Sequence, residues 1–391
     1  MQRLLSLILA LLLLAMPTLS LASESEIVIP TVDNVLKLSI PTNEALQFVS
    51  QIKVGWNLGN TFDAHRDGFT GDEMTIEKYW CGCYTTPEVF ETLKAQGFNA
   101  VRIPVSWHNH VDKDFNVSTQ WLDRVQEVVD YAISRDMFVI LNAHHDTHKD
   151  FFYPDSQHFD QSYRFITTVW GQVAERFKDY DHKLILESIN EPRLVGTNVE
   201  WWFNTEDERI LDAADCLNRL NQAFVDTVRA TGGNNESRFL LIAGYGTNID
   251  STCDNRFIMP RDSAQKKLLV SVHYYDPWSY CGATDATGAT AWGIQSDYEY
   301  MDAQLAKMTK FVKRGVGVVI GEYGALPDDK GRIKANSLAY HTRFLDLCDY
   351  YDLTSCLWDC SGFFVRRQGD PHLGRLLHGD LGLDHVLQHI I

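Results

Sequence analysis

The amino-acid sequence predicts a single (β/α)8 barrel. Three observations carry this expectation. Eight apolar, strand-like runs alternate with helical stretches, and such alternation means a parallel sheet. The alternation runs from about residue 43 to the end of the 391-residue chain, ample for a barrel of roughly 250 residues or more. No Gly-x-Gly-x-x-Gly turn follows the first strand, as a doubly wound open sheet would want, and no Pro/Ser/Gly linker marks a second domain.

The elements follow in order. Asn43 to Gln51 reads as a short helix, and Val54 to Asn60 as a first strand running into a polar loop. Thr86-Pro87-Glu88 opens a helix with proline at its first position, and Gly97 closes it. Ala100 to Val105 is the second strand. Trp121, Leu122, Val125, Val128, Val129, Ala132 and Ile133 recur at helical spacing. Phe138 to Ala143 is the third strand and Phe159 to Tyr180 a helix. Strand 183–190, a helix within 206–231 and strand Phe239 to Gly244 come next. They are followed by strand Leu268 to Tyr275, helix 297–313, strand Val316 to Glu322, helix 335–351 and strand Thr354 to Trp358. A short helix from His385 to Ile391 ends the sequence.

Two of these strands share an unusual ending. Lys183-Leu-Ile-Leu-Glu-Ser-Ile-Asn-Glu191-Pro192 starts apolar and delivers Asn190 and Glu191, after which proline stops the ladder. Val319-Ile320-Gly321-Glu322 delivers a second glutamate in the same way. A carboxylate at the exit of a buried strand is costly without a task or a partner. Barrel enzymes gather their reacting groups at the C-terminal strand ends. Those ends here carry Asn57, Arg102, His144, His145, Asn190, Glu191, His273, Tyr275, Glu322 and Trp358. His273 and Tyr275 stand two apart, so they project on one face. Paired carboxylates among Arg, His, Asn, Tyr and Trp, with no phosphate cradle, fit glycoside hydrolysis. One carboxyl must be protonated to help the leaving oxygen depart, and the other ionised to attack or to activate water. A guanidinium beside the second favours its charged form, and Arg102 and Tyr275 are the donors expected there.

Composition narrows the partners. The net charge is −17, with 52 acidic against 35 basic residues, which argues against nucleic acid and anionic membranes. A neutral polysaccharide fits. The N-terminus carries Arg3, the apolar run Leu4 to Met16 and then Ser20-Leu21-Ala22. This is the pattern of a secretory signal peptide over 1–22. Residues 23–42 form a leader, and the barrel spans 43–391. The mature protein is expected outside the cytoplasm, extracellular or periplasmic, as a monomer. Eight cysteines entering an oxidising compartment make disulfides plausible, although a domain of this size can bury cysteines simply as core. Cys81-Gly-Cys83 has the wrong spacing for a zinc knuckle.

Several stretches together resemble glycoside hydrolase family 5, and closely its subfamily 4. They are Gly55-Trp-Asn-Leu-Gly-Asn-Thr-Phe-Asp63, Gly97-Phe-Asn-Ala-Val-Arg-Ile-Pro-Val-Ser-Trp107, Leu141-Asn-Ala-His-His145, Ser188-Ile-Asn-Glu-Pro-Arg193, Val225 to Asn235, Ser271-Val-His-Tyr-Tyr275 and Ile320-Gly-Glu-Tyr-Gly324. The resemblance implies that Glu191 is the acid/base and Glu322 the nucleophile. Arg102, His144, Asn190, His273 and Tyr275 would support them, and Trp358 matches a further active-site position of the family; by their place at the strand ends, Asn57 and His145 are expected to contact substrate together with Trp358. It implies a retaining endo-β-1,4-glucanase without cofactor or metal. Xyloglucan- or mixed-linkage-glucan-specific enzymes are the alternatives, and a β-mannanase is more remote. The Cys81-Gly-Cys83 insert and Tyr323, where phenylalanine is common, depart from the pattern and bear on the shape of the cleft.

Two other readings compete. His144-His145-Asp146-Thr147-His148 offers zinc-type ligands, as a metal-dependent barrel hydrolase would, but such enzymes want His-x-His at the first strand, where this chain has Trp56-Asn57. A non-catalytic sugar-binding protein predicts loss of a glutamate, and both are present. Among the tryptophans, Trp121 and Trp170 lie in helices and read as core. Trp80, Trp107, Trp201, Trp202, Trp278 and Trp292 lie in or near βα loops, where each can either stack on a sugar ring or pack the loop.

Overall fold

The sheet is a closed barrel of eight parallel strands in sequence order, β1 pairing with β8. The computed structural model describes residues 43–283, 288–289, 291–327 and 334–360. The expected signal peptide (1–22), leader (23–42) and closing helix (385–391) lie outside them. The strands are β1 Gly55–Leu58, β2 Ala100–Ile103, β3 Phe138–Asn142, β4 Leu184–Glu187, β5 Leu240–Ala243, β6 Leu268–Tyr274, β7 Val318–Tyr323 and β8 Thr354–Asp359. Nearly every strand residue is buried, because side chains face either the barrel interior or the surrounding helices.

The helices are α1 Glu44–Val49, α2 Pro87–Ala95, α3 Thr119–Ile133, α4 Phe159–Phe177, α5 Glu208–Ala230, α6 Ile249–Cys253, α7 Trp278–Cys281, α8 Gln295–Lys307, α9 Thr309–Val312 and α10 Ser337–Tyr350. The apolar stripe read from α3 is buried, apart from the half-buried Ile133, and Trp121 and Trp170 are core. Gly97 follows α2 with φ +101°, a left-handed turn that suits glycine. Thr86 occupies the N-cap of α2 but makes no side-chain cap bond. The helix expected over 297–313 is two. Thr309 Oγ1 donates to the Ala306 carbonyl (2.7 Å), and such a side-chain bond competes with the helical ladder.

The barrel floor is closed by α1. Asn43 caps it, accepting from Leu46 N at 3.0 Å and donating to the Gly315 carbonyl at 2.8 Å. Ala45, Phe48, Val49 and Ile52 then join Ala100, Phe138, Ile140, Ile185, Phe239, Leu241, Leu269 and Val319 in one buried cluster. Phe48 stacks on Phe239 (3.8 Å between centroids) and meets Phe138 edge-on (5.6 Å). Burying a phenylalanine in this way contributes about 1.5–3 kcal/mol. A sealed floor leaves the opposite, C-terminal end as the open face.

Two irregularities mark that face. The register between β6 and β7 shifts at Val272/His273, and between β7 and β8 around Ile320/Tyr323. Register shifts re-aim side chains and occur beside active sites; here they put His273 opposite Glu322. Gly321 makes the approach possible, since a Cβ there would lie 3.1 Å from His273 Nε2 and 3.2 Å from Ser271 Oγ.

Candidate active site

Arg102, in β2, is the hub. It is fully buried and its planar fork of donors is used on every side. Nε donates to Glu187 Oε2 (2.7 Å), Nη1 to Glu322 Oε1 (2.7 Å) and Asn57 Oδ1 (3.0 Å), and Nη2 to Asn190 Oδ1 (2.7 Å). Burial alone would weaken its charge, but Glu187 and then Glu322 outweigh burial and raise its already high pKa. Glu187 is completed by Ser271 Oγ at 2.6 Å.

Glu322 stands near the end of β7, almost fully buried. Arg102 holds one of its oxygens. The Tyr275 hydroxyl donates to the other at 3.0 Å. Burial, then the charges of Glu322 and Glu191, push the Tyr275 pKa well above its ordinary value, so it stays a donor. Asn190, just past β4, continues the sheet by donating its N–H to the Ala143 carbonyl at 2.8 Å. With Arg102 on its amide oxygen, its amide nitrogen is the group left for a ligand.

Glu191 follows directly. His273 Nδ1 lies 2.9 Å from its Oε1 and 3.6 Å from Glu322 Oε2. Arg193 Nη1 lies 3.6 Å from its Oε2. Burial pushes the Glu191 carboxyl up, but the hydrogen bond and charge of His273, with Arg193 and His145 behind, hold it below its ordinary value. One ligating atom from each of Glu191, His273 and Glu322 lies within 4.8 Å of the others.

His144 stacks on Trp358 of β8 (5.7 Å between centroids, 7° between planes). Asn142 Oδ1 accepts from Val105 N, which turns its amide nitrogen toward His144 Nδ1 at 3.1 Å. The ring proton is thereby placed on Nε2, 3.9 Å from Glu322 Oε1. Burial, then the neighbouring His145 and Arg102, lower the His144 pKa well below its ordinary value, so the ring is neutral. His145 is lowered to about 3 by burial and then by His65, with Nε2 3.8 Å from Asp63 Oδ2.

Nine of the ten expected site residues thus converge on the open face, and the tenth, Asn57, is corrected. Asn57, expected to contact substrate, is fully buried beneath the site. Its amide nitrogen donates toward the carbonyls of Gly321 and Cys356 (2.9 and 3.2 Å), so it supports Arg102 from below. His273, expected to support the two glutamates, does so by holding Glu191. Tyr323 does not shape the cleft: it is buried on Phe344 of α10 (4.1 Å). Trp107 and Trp292 pack their loops, whereas Trp80, Trp201, Trp202 and Trp278 are exposed. Cys216, Cys281, Cys348 and Cys356 are buried core thiols.

Residues passed over in the sequence are Glu187, Ser271, Asn142 and Arg193. Glu187 carried a signal of its own, a carboxylate inside an apolar strand. As to metals, Asp63, His144 and His145 also bring ligating atoms within 4.8 Å. His144 Nδ1 is already taken by Asn142, and Asp146 Oδ1 by the N–H groups of Trp107 and His108 (2.8 and 2.9 Å). The histidine run after β3 is therefore built mainly into loop structure.

The family model described as "Cellulase (glycosyl hydrolase family 5)" matches residues 60–363. Endoglucanase A of Ruminococcus albus is 34% identical over 323 residues, 82% of this chain and 84% of its own length. The cellulase/esterase CelE of Acetivibrio thermocellus is 38% identical over 295 residues, 74% of this chain. The chain spans only 33% of the length of CelE and 56% of that of endoglucanase A from Clostridium longisporum. Among solved structures, a lichenase from a Caldicellulosiruptor species superimposes with TM-score 0.85 at 37% identity, covering 93% of this chain and 100% of that one. A xyloglucan-specific endo-β-1,4-glucanase from a metagenomic library, in complex with cellotriose, gives 0.76 at 31% identity, covering 88% and 98%.

Proposed function

Since the chain belongs to the cellulase family, glycosyl hydrolase family 5, we propose that it is a secreted, retaining endo-β-1,4-glucanase acting on neutral glucans. The observation that carries this is the carboxylate pair: Glu191 and Glu322 bring an oxygen each to within 4.8 Å. Oxygens this close support the short carboxyl separation, roughly 5–5.5 Å, used for attack by the enzyme over the 6.5–9.5 Å that makes room for a water.

In this reading Glu322, held by Arg102 and Tyr275, attacks the anomeric carbon from one face of the sugar. The glycosidic C–O bond breaks and Glu191 gives its proton to the leaving oxygen. A covalent glycosyl-enzyme forms. Glu191 then takes a proton from water, which attacks the same carbon and releases Glu322. A sugar ring over the Glu191–His273 pair removes the remaining water. Desolvation then pushes the Glu191 carboxyl up toward its protonated form. Asn190 and His144 offer N–H groups to the ring bound beside Glu322, and Trp358 an aromatic face.

Solved relatives named as lichenase, xyloglucan-specific and broad-specificity enzymes support mixed-linkage glucan and xyloglucan as the second reading of the substrate. Residues 1–22 are removed on export in this reading. The test is hydrolysis of carboxymethylcellulose, xyloglucan, mixed-linkage glucan and mannan, with viscosity, reducing sugar and product anomer followed together. Endo action lowers viscosity before much reducing sugar appears, and the first-formed anomer is β. Inverted product, or release of terminal disaccharide alone, refutes the mechanism or the endo mode respectively.

A further inference from the structure

A second group of titratable side chains lies apart from the catalytic pair. His65 and Asp67 belong to the loop after β1, and His108 opens the short turn His108–His110 after β2. One ligating atom from each lies within 4.8 Å of the other two. His65 Nδ1 stands 3.9 Å from Asp67 Oδ1, and the His65 and His108 rings are 5.1 Å apart.

Two features distinguish this group from a chance surface cluster. His65 Nδ1 is sealed from solvent without a hydrogen-bond partner among the described residues, which costs about 1–3 kcal/mol if nothing binds it. His108 Nδ1 lies 2.9 Å from Asp146 Oδ1, and Asp146 is fully buried and anchored by two backbone N–H groups. A histidine whose Nδ1–H is held by a buried carboxylate presents a basic Nε2 in a fixed direction, the usual support of a metal-ligating imidazole.

We infer that His65, Asp67 and His108 form a binding site for a zinc-type divalent cation at the rim of the cleft. Two imidazoles and one carboxylate suit zinc, whereas calcium and magnesium want mostly oxygen. Tetrahedral zinc needs ligand atoms roughly 3.3 Å apart, closer than here. Asp67, with a side chain 93% exposed, is free to close the gap. The ion would tie the loop after β1 to the turn after β2. His65 also meets Trp80 (5.2 Å), which meets His145 (5.8 Å), so that tie fixes an exposed tryptophan on the substrate side. Neither catalytic glutamate takes part.

The test uses the untagged mature chain, stripped with chelator, reloaded with zinc chloride and dialysed. Retained metal is measured by mass spectrometry and stability by thermal melting. One zinc per chain and a raised Tm are expected. His65→Ala and Asp67→Asn should each weaken zinc binding about tenfold or more, with metal-free activity unchanged. No retained zinc overturns the inference. So does zinc retained equally by both variants, since that places the ion elsewhere.

Discussion

Arg102→Lys tests the central arrangement most sharply. The arginine makes four hydrogen bonds from three nitrogens pointing different ways: Glu187 on one side, Glu322 and Asn57 on another, Asn190 on a third. Lysine keeps the charge but offers one nitrogen. Placed to hold Glu322, it leaves Glu187 in the barrel with only Ser271. Placed toward Glu187, it releases Glu322. Either way one buried carboxylate loses its cation, at a cost of about 3–5 kcal/mol. A loss of about 3 kcal/mol at the reacting carboxylate corresponds to about a hundredfold in rate. The expected result is a folded protein with a lowered Tm and kcat/KM reduced about a hundredfold or more on soluble mixed-linkage glucan. Circular dichroism, thermal melting and initial rates measure these together. Wild-type Tm with kcat/KM within about threefold would show that the fork geometry is unimportant and refute the reasoning.

Further outcomes follow from the same structure. Glu322→Ala should abolish turnover, with azide restoring part of it and yielding product of inverted anomeric configuration by NMR. Glu191→Ala should slow substrates with poor leaving groups far more than aryl glycosides with good ones, read from kcat/KM across a leaving-group series. Phe48→Ala empties the barrel floor between Phe239 and Phe138. It should cost about 3–5 kcal/mol in denaturant unfolding while the folded fraction keeps its kcat. His341 is buried in α10 with Nδ1 2.7 Å from the Ser337 carbonyl, and burial lowers its pKa to about 4. Its folded value lies below the unfolded one of about 6.5. Stability is therefore full above that pH and falls as pH drops toward 4, by about 3 kcal/mol at most. His341→Asn keeps a donor without the titration, so its Tm should fall less than the wild type's between pH 7 and 4.5.

The barrel itself was legible because it is written in local patterns. Apolar runs of strand length, the stripe from Trp121 to Ala132 and Gly97 after its helix each act over a few residues. Strand order then follows from chain order. The glutamates at the exits of β4 and β7 were legible for a different reason: a buried carboxylate is costly, so each announces a partner. What no local pattern contains is which partner. Arg102, Glu187, Asn190 and Glu322 are brought together only by closure of the barrel, across 220 residues from Arg102 to Glu322. Hence Glu187 was passed over, although the same argument applies to it, and Asn57 was expected to face substrate when closure turns it under Arg102. Tyr323 shows the same limit, since its neighbour Glu322 faces the cleft while it packs on α10. Residue type and spacing determine which groups reach the C-terminal ends of the strands. The depth of each side chain, and therefore its protonation state and its task, is decided by strand register, and register exists only in the assembled sheet.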